Sequence, residues 1–246
     1  MQVFYHIGRY FILLSKVFQR PEKVKIYFQQ ILTEINKLGI QSMGIIAIIS
    51  WFMGAVITIQ TAANLETALI PLYTIGFAAR QSVILELSPT IIALILAGKV
   101  GSNIASEIGT MRVTEQIDAL EIMGVNSASY LIVPKIIAAV FINPFLIILS
   151  MTVGIVGGWM AGTFTGTVPS ADFVVGLHWD FDPFHVVYAL IKTLFFAFVI
   201  TSIPAYHGYY TSGGALEVGR SSTKAVVYSS IAILVLNYVL TQLILI

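Results

Sequence analysis

The chain has 246 residues, of which 57% are hydrophobic and 10% are charged, and its mean hydropathy is +0.90. These values place it among integral membrane proteins, since no stretch is polar enough to form a soluble domain. The net charge is +1, and no long basic run with interleaved aromatic residues is present, which excludes nucleic-acid binding. The chain has no cysteine, which excludes disulfides, cysteine-ligated metals and a cysteine nucleophile.

Residues 1–38 are predicted to form an interfacial elbow of two amphipathic helices. In residues 1–20 an aromatic-rich face lies opposite a basic face, which is typical of a helix lying among lipid headgroups. Pro21 is expected to end this helix, and a second apolar stripe follows. The alternative is a pair of helices packed on the protein core. The first helix has Phe4, Ile7, Phe11, Leu14 and Phe18 opposite Arg9, Lys16 and Arg20, and the second has Val24, Phe28, Ile31, Ile35 and Leu38.

Residues 39–246 are predicted to form a transmembrane domain with about five spans, because about 20 apolar residues cross the hydrocarbon layer. The segment Leu69–Ala79 is apolar but too short to cross, and we interpret it as a re-entrant or interfacial piece. The expected fold is therefore an all-α integral membrane protein. The predicted spans are Ile40–Gln60, Ser82–Ile104, a stretch within Leu131–Met160 that has a kink at Pro144, Val186–Tyr206 and Ala225–Ile246.

The charges between the spans predict the orientation of the chain. Lys and Arg concentrate in the N-terminal segment, in the loop between spans two and three, and in the 208–224 loop. The opposite loops hold Glu66, Arg80 and three aspartates. Because basic residues favour the cytoplasm, we expect a cytoplasmic N-terminus and, after five spans, a C-terminus on the outer side. The cytoplasmic set is Arg9, Lys16, Arg20, Lys23, Lys25, Lys37, Arg112, Arg220 and Lys224.

The loop between spans two and three is a polar island in an apolar chain. We predict a helix over about 105–125, with apolar residues on one face and acidic residues on the other. It could be an ordinary loop helix that lies on its own protein, or a docking element for another subunit. The charged residues are Glu107, Arg112, Glu115, Asp118 and Glu121, and the apolar stripe is Val113, Ile117, Leu120 and Met123.

Among the charged residues inside the predicted spans, Glu86 and Lys192 are the outliers, since both lie near the outer half of their helices. An ionisable group within a span is costly and usually faces a cavity or a partner. They could form a structural ion pair in a packed bundle, or they could line a polar cavity that accommodates a charged headgroup. Lys99 lies about one turn from the inner interface and is expected to extend its ammonium group toward it.

Small residues recur every four positions in two stretches of the chain. Such faces let helices approach closely, either within one bundle or between protomers, and the pattern does not say which. Enzyme signatures are lacking, because Gly98 and Lys99 stand in a hydrophobic span without the pattern of a phosphate-binding loop. We expect no metal site and no cofactor. The small residues are Gly154, Gly158, Gly162 and Gly166 in one set and Gly101, Ala105 and Gly109 in the other.

The run from Glu107 to Asn126, EIGTMRVTEQIDALEIMGVN, resembles the signature of the MlaE-type permeases, the membrane subunits of MCE-associated ABC phospholipid transporters. Similarity also covers Glu86–Pro89 (ELSP), Leu96–Gly101 (LAGKVG) and Arg220–Ser230 (RSSTKAVVYSS), and so roughly the whole chain beyond the first forty residues. The chain departs from the family at two positions. It has Leu85 where the family has Arg, and Asn237 where the family has Asp.

This resemblance implies the permease subunit of an ABC transporter that moves phospholipids between the inner and outer membranes of a diderm bacterium. It implies a homodimer in the inner membrane, two cytoplasmic ATPase subunits that hydrolyse ATP in place of this chain, and an MCE-domain ring on the periplasmic side. Glu86, Lys192 and Asn237 would then belong to the lipid pathway. The residues expected to couple the permease to the ATPases are Glu107, Arg112, Glu115, Ile117, Asp118, Leu120 and Glu121.

Two other functions compete with this interpretation. A stand-alone channel or secondary transporter could use Glu86 and Lys192 as an ion relay, but no inverted repeat is visible in the sequence. A membrane scaffold without a transport path would have little use for charged residues in its spans. Copurification of an ATPase subunit would favour the ABC permease over both.

Overall fold

The computed structural model describes residues 2–19, 24–65 and 70–245, and within them every regular element is helical. This confirms the all-α prediction. Predictions that concern Arg20, Pro21, Lys23 and Glu66 lie outside the described residues. The helices are α1 (Gln2–Val17), α2 (Val24–Glu34), α3 (Gln41–Asn64), α4 (Tyr73–Ser82), α5 (Ile92–Leu96), α6 (Ser102–Val113), α7 (Gln116–Ile122), α8 (Ser127–Phe164), α9 (Ser170–His178), α10 (Phe184–Tyr209) and α11 (Ala215–Ile244).

Three π-helical segments join some of these helices into longer ones: Ile35–Ile40, Val83–Ile91 and Ala97–Gly101. In the described residues, five continuous helices are long and apolar enough to cross a membrane, which confirms the prediction of five spans. Each is longer than the apolar segment predicted from the sequence, because polar residues extend the helix beyond the hydrocarbon. The five are Tyr27–Asn64, Tyr73–Val113, Ser127–Phe164, Phe184–Tyr209 and Ala215–Ile244.

The second helix of the predicted elbow is not separate from the first span. It continues through the π-helical segment Ile35–Ile40 into α3. Gly39 is the only helix-weakening residue at this junction, and a single glycine costs only about 1 kcal/mol in a helix. A Cβ at Gly39 would lie 2.2 Å from a side-chain carbon of Ile142, so the glycine serves close packing here and does not end the helix.

The second span begins earlier than predicted, at Tyr73, so the short apolar segment is helical and continuous with this span from Tyr73 onward. Pro71 precedes this helix, which agrees with the preference of proline for positions before or at a helix start. Arg80, predicted to lie in an outer loop, is buried inside α4. Glycines bring α4 and α9 close together, since a Cβ at Gly76 would lie 2.5 Å from the backbone oxygen of Phe173.

The polar island forms two helices instead of the single helix predicted over 105–125. The first, α6, ends at Val113, and α7 begins at Gln116. Glu115 separates them with φ 61°, in the left-handed region that non-glycine residues rarely adopt. Similarly, the predicted 208–224 loop is shorter than expected, because α11 already begins at Ala215 after Gly213, whose φ is 113°.

The chain divides into two compact units. The first comprises residues 1–41, 93–143 and 194–239, and the second comprises residues 42–92, 144–193 and 240–246. Small residues mediate close packing inside each unit. In the second unit a Cβ at Gly54 would lie 1.8 Å from the backbone oxygen of Gly154, and in the first a Cβ at Gly208 would lie 2.8 Å from that of Ala105. The predicted small-residue faces therefore pack within the protein, except at Gly166, where a Cβ would have no neighbour within 4 Å.

Candidate functional site

Glu86 and Lys192 form an ion pair inside the second unit. The ammonium nitrogen of Lys192 lies 3.0 Å from Glu86 Oε1 and donates a second hydrogen bond, 3.1 Å long, to the backbone carbonyl of Leu85. The ring of Tyr188, one turn before Lys192 on α10, lies 4.8 Å from the same nitrogen. A carboxylate, a carbonyl dipole and an aromatic face together compensate the buried cation.

Pro89 lies one turn after the Leu85 carbonyl that Lys192 contacts. Proline has no N–H, so it cannot give the carbonyl of Leu85, four residues earlier, an α-helical hydrogen bond. The ammonium group of Lys192 supplies a donor to this carbonyl. The π-helical segment Val83–Ile91 surrounds this proline, and π-helical turns are frequent at functional sites. Thr90, one turn after Glu86, donates a hydrogen bond of 3.2 Å to Glu86 Oε2.

The two members of the pair differ in exposure. The side chain of Lys192 is 0% exposed, whereas that of Glu86 is 43% exposed. The cation is thus enclosed by protein, while the carboxylate is partly exposed at the surface of the chain. Such a pair keeps the span neutral and still presents an acceptor to a hydrogen-bond donor from outside. Asn237, the third residue predicted for the lipid pathway, is half-buried on α11 and belongs to the first unit.

Two polar features of the second unit were not predicted. Ser50 donates to Ser150 at 2.8 Å and Ser150 donates to Ser88 at 3.0 Å, so three fully buried hydroxyl groups connect three spans. Arg80 donates to the backbone oxygens of Leu177, Trp179 and Asp180 at the end of α9. A cation at a helix C-terminus satisfies carbonyls that lack a partner in the helix. Serines in an apolar span were the available sequence signal for the first feature.

The predicted coupling residues divide between the two helices of the polar island. Arg112 on α6 pairs with Asp118 on α7 at 2.6 Å, across the break at Glu115. Ile117 is fully buried, whereas Glu115 is exposed. Leu120, the remaining apolar residue of the set, is half-buried. The apolar stripe is therefore covered by the protein near Ile117 and becomes open toward the end of α7, where Ile122 is 87% exposed.

Glu121 ties the end of α7 to the start of α8. Its Oε1 accepts hydrogen bonds of 2.9 Å from the hydroxyls of Ser127 and Tyr209. The hydrogen bond from Ser127 lowers the pKa of Glu121 most, opposed by partial burial and assisted by Tyr209 and by the charges of Arg112 and Lys16. Glu121 is therefore a structural anchor for this segment as well as a predicted coupling residue.

Glu107, which belongs to the predicted coupling set, contacts a different group of residues. Its Oε2 lies 2.9 Å from the ammonium nitrogen of Lys135, which also lies 2.8 Å from Glu34 Oε1. Lys37 lies 4.0 Å from the other oxygen of Glu107. Sequence reasoning missed this cluster, although a lysine next to Pro134 within an apolar stretch was a signal that a carboxylate partner exists.

The chain is similar to known membrane permeases along most of its length. The family described as "Permease MlaE" matches residues 31–243. A probable ABC transporter permease protein of Rickettsia bellii is 35% identical over 237 residues, which cover 96% of this chain and 91% of that protein. The intermembrane phospholipid transport system permease protein MlaE of Haemophilus influenzae is 31% identical over 242 residues, covering 95% and 89%.

A third relative comes from a plant. The chloroplastic protein TRIGALACTOSYLDIACYLGLYCEROL 1 of Arabidopsis thaliana is 34% identical over 236 residues, which cover 94% of this chain and 66% of that protein. Five apolar helices in the described residues mark this chain as a multi-pass membrane protein. Both the family match and the relatives extend over nearly all of these helices. The chain belongs to the MlaE permease family of ABC transporter membrane subunits.

Proposed function

We propose that this chain is the permease subunit of an ABC transporter that moves phospholipids between the inner and outer membranes of a diderm bacterium. The Haemophilus relative is named for intermembrane phospholipid transport, which supports this substrate class. The chain supplies no ATPase of its own in this proposal. Two ATPase subunits bind on the cytoplasmic side, and a ring of MCE-domain proteins binds on the periplasmic side of a homodimer.

The Glu86–Lys192 pair is the observation that carries the lipid pathway. A fully buried ammonium group beside a half-exposed carboxylate is an arrangement that a packing interaction alone does not require. In our proposal the carboxylate meets the polar headgroup while Lys192 holds it in place and keeps the span neutral. Asn237 is the third residue that we assign to the pathway, as an uncharged amide where the family has Asp.

The polar island is proposed to couple ATP hydrolysis to the pathway. A continuous helix, Tyr73–Val113, carries Glu86 and leads directly into the break at Glu115. The exposed apolar end of α7 offers Ile122 and Met123 to a partner surface, and exposed acidic residues flank it. Movement of an ATPase against α7 would then be transmitted along the helix to Glu86. The residues of the proposed coupling surface are Glu107, Arg112, Glu115, Ile117, Asp118, Leu120 and Glu121.

The proposed orientation places the N-terminus in the cytoplasm and the C-terminus in the periplasm, as the loop charges predict. The N-terminal elbow lies at the inner membrane surface, supported by α1, on which Phe4 and Phe11 are exposed while Leu13 and Val17 are buried. An exposed aromatic face opposite a buried aliphatic face is typical of a helix that lies between lipid and protein.

A charge exchange tests the pathway. In a strain that depends on this permease, we expect Glu86→Lys and Lys192→Glu each to impair the outer-membrane barrier at normal protein levels, and the double exchange not to restore it. A lipid headgroup would meet the wrong charge even if the pair re-formed. The matched control exchanges the exposed pair Glu217 and Arg220, 2.6 Å apart on α11, and should leave the barrier intact.

Two results would contradict the proposal. Full restoration by the double exchange would make the pair purely structural and remove both residues from the pathway. Purification of the wild-type chain from its own membranes without an ATPase subunit would contradict the assignment as an ABC permease and favour a stand-alone channel or secondary transporter.

A further inference from the structure

The first unit contains a second buried charge cluster, centred on Lys135. Lys135 is 3% exposed and binds Glu34 Oε1 and Glu107 Oε2 at 2.8 and 2.9 Å. Lys37 lies 4.0 Å from Glu107 Oε1, so two lysines balance two glutamates. The pairing accounts for Lys135, for Glu107 and for one oxygen of Glu34. It does not account for the other oxygen of Glu34.

Two covered acceptors in this cluster lack a donor. Glu34 is 7% exposed, and its Oε2 accepts no hydrogen bond from the residues that the structure describes. The same holds for the side-chain oxygen of Gln30, one turn earlier on α2. Buried polar atoms almost always have partners, and a carboxylate oxygen without one is costly. Both oxygens therefore call for a group that donates hydrogen bonds, preferably a positively charged one.

Both side chains line a pocket of about 290 Å³ between α2 and the start of α8. The volume is several times that of one water molecule, about 30 Å³ in the liquid, so it admits a small polar group. The terminal torsions of Glu and Gln side chains have broad minima, so each oxygen can turn toward an occupant at little cost. The lining residues are Gln29, Gln30, Thr33, Glu34, Lys37, Glu107, Tyr130, Leu131, Pro134 and Lys135.

The pocket lies at the depth of the lipid headgroups. Glu34 precedes the apolar stretch that starts at Ile40 by six residues on one continuous helix. At about 1.5 Å per residue it is roughly 9 Å outside the hydrocarbon edge, where the headgroup region lies. On the same helix Phe28 and Leu32 are exposed one turn apart, which offers an apolar surface to lipid beside the pocket. A soluble partner would meet this apolar surface less favourably than a lipid does.

We propose that this pocket binds the primary ammonium group of an aminophospholipid headgroup. An ammonium group with N–H bonds supplies the donors that Glu34 Oε2 and the Gln30 oxygen lack, and its charge strengthens the hydrogen bond to the carboxylate. A trimethylammonium headgroup has no N–H and therefore cannot donate a hydrogen bond to these two oxygens. The half-exposed Lys37 is placed to meet the phosphate of the same lipid. This site is separate from the Glu86–Lys192 pair and would hold a resident lipid against α2 and α8.

Native mass spectrometry of the full chain in detergent tests the site, with phosphatidylethanolamine and phosphatidylcholine of identical acyl chains added in equal amounts. We expect the wild type to retain phosphatidylethanolamine about tenfold in preference, the size of one charge-assisted hydrogen bond. Gln30→Leu and Glu34→Gln should each reduce this preference toward unity. Gln30→Leu breaks no ion pair, so it keeps the test valid if Glu34→Gln fails to fold. Glu217→Gln, which removes an exposed carboxylate of α11, is the control and should keep the preference.

Three results would overturn the inference. A wild type that does not discriminate between the two lipids would mean that water fills the pocket. Preference retained in both variants would place the discriminating site elsewhere. If Glu34→Gln instead prevented an ATPase subunit from copurifying while the lipid preference persisted, the acceptors would serve a partner protein.

Discussion

Glu86→Leu should destabilise this protein more than Lys192→Met, although the two changes remove the same ion pair. Glu86→Leu leaves the ammonium group of Lys192 fully buried with only the Leu85 carbonyl and the Tyr188 ring as partners. Removal of one member of a buried pair in this way costs about 3–5 kcal/mol. Lys192→Met leaves a carboxylate that is 43% exposed, so solvent or headgroups can take over its charge.

The cost of Lys192→Met is then mainly that of the lost hydrogen bond from the ammonium group to the Leu85 carbonyl, about 1.5–3 kcal/mol for a hydrogen bond that involves a charged group. The double variant Glu86→Leu with Lys192→Met has no buried unpaired charge, but it also lacks that hydrogen bond. We therefore expect the double variant to match Lys192→Met alone and to be about 2 kcal/mol more stable than Glu86→Leu, the difference between these two ranges.

The free energy of unfolding can be measured by titrating the purified chain in mixed micelles with a denaturing detergent, using the fluorescence of Trp51, Trp159 and Trp179. Lys99→Met is the matched control, because Lys99 also donates to a backbone carbonyl, that of Gln41, but is exposed. Lys99→Met should lower the free energy of unfolding by less than about 1 kcal/mol, as substitutions at exposed positions usually do. The reasoning is refuted if Lys192→Met proves the more damaging single change, or if adding it to Glu86→Leu destabilises further.

Three further predictions concern other parts of the chain. Single cysteines at Ser212 and Ala171 should react with an impermeant thiol reagent from opposite sides of the membrane, and labelling from one side would contradict five spans with the proposed orientation. Changing Glu115 and Asp118 together to Lys should abolish ATPase association while the permease still inserts and folds, and a complex that assembles and hydrolyses ATP normally would show that α7 does not couple. Because the folded pKa of Glu121 is lowered, its ionised form stabilises the fold above the ordinary value of 4.5, and this stability is lost as pH falls through the folded pKa. Glu121→Gln should therefore lower the unfolding midpoint at neutral pH and flatten its decline in acid, and an unchanged acid limb would contradict the assignment.

Hydropathy located all five spans but not where their helices begin and end. The helix through Ile35–Ile40 continues because only Gly39 weakens it, and the sequence offers no way to see that Ile142 fills the space beside this glycine. The break between α6 and α7 was equally invisible, since Glu115 is not a residue that normally takes a positive φ. The local pattern of apolar and polar residues predicts that a helix forms. Whether two helices join or break, as at Ile35–Ile40 and Glu115, depends on contacts between residues distant in sequence.

The candidate site was predicted in part. Glu86 and Lys192 were identified because charges in spans are costly, and the structure joins them at 3.0 Å. The pairing could not be predicted from the sequence, because it depends on which residues of α10 lie beside the segment Val83–Ile91 in the folded chain. Lys135 escaped notice because it stands near a predicted span boundary, where a lysine normally reaches solvent. Its burial became evident only when Glu34 and Glu107, from two other helices, were found beside it.

The π-helical segment Val83–Ile91 gives the second span an unusual tolerance of the loss of one residue. The hydrogen bond of a π-helical turn spans one residue more than that of an α-helical turn. The segment therefore contains an extra residue that an α-helix would not have. Loss of one residue elsewhere in this helix would rotate everything beyond it by about 100°. Loss of one residue here would convert a π turn to an α turn and leave the flanking faces in register. Deletion of one residue in this segment can therefore change the direction of the Glu86 side chain, while the other residues of the span keep their orientation.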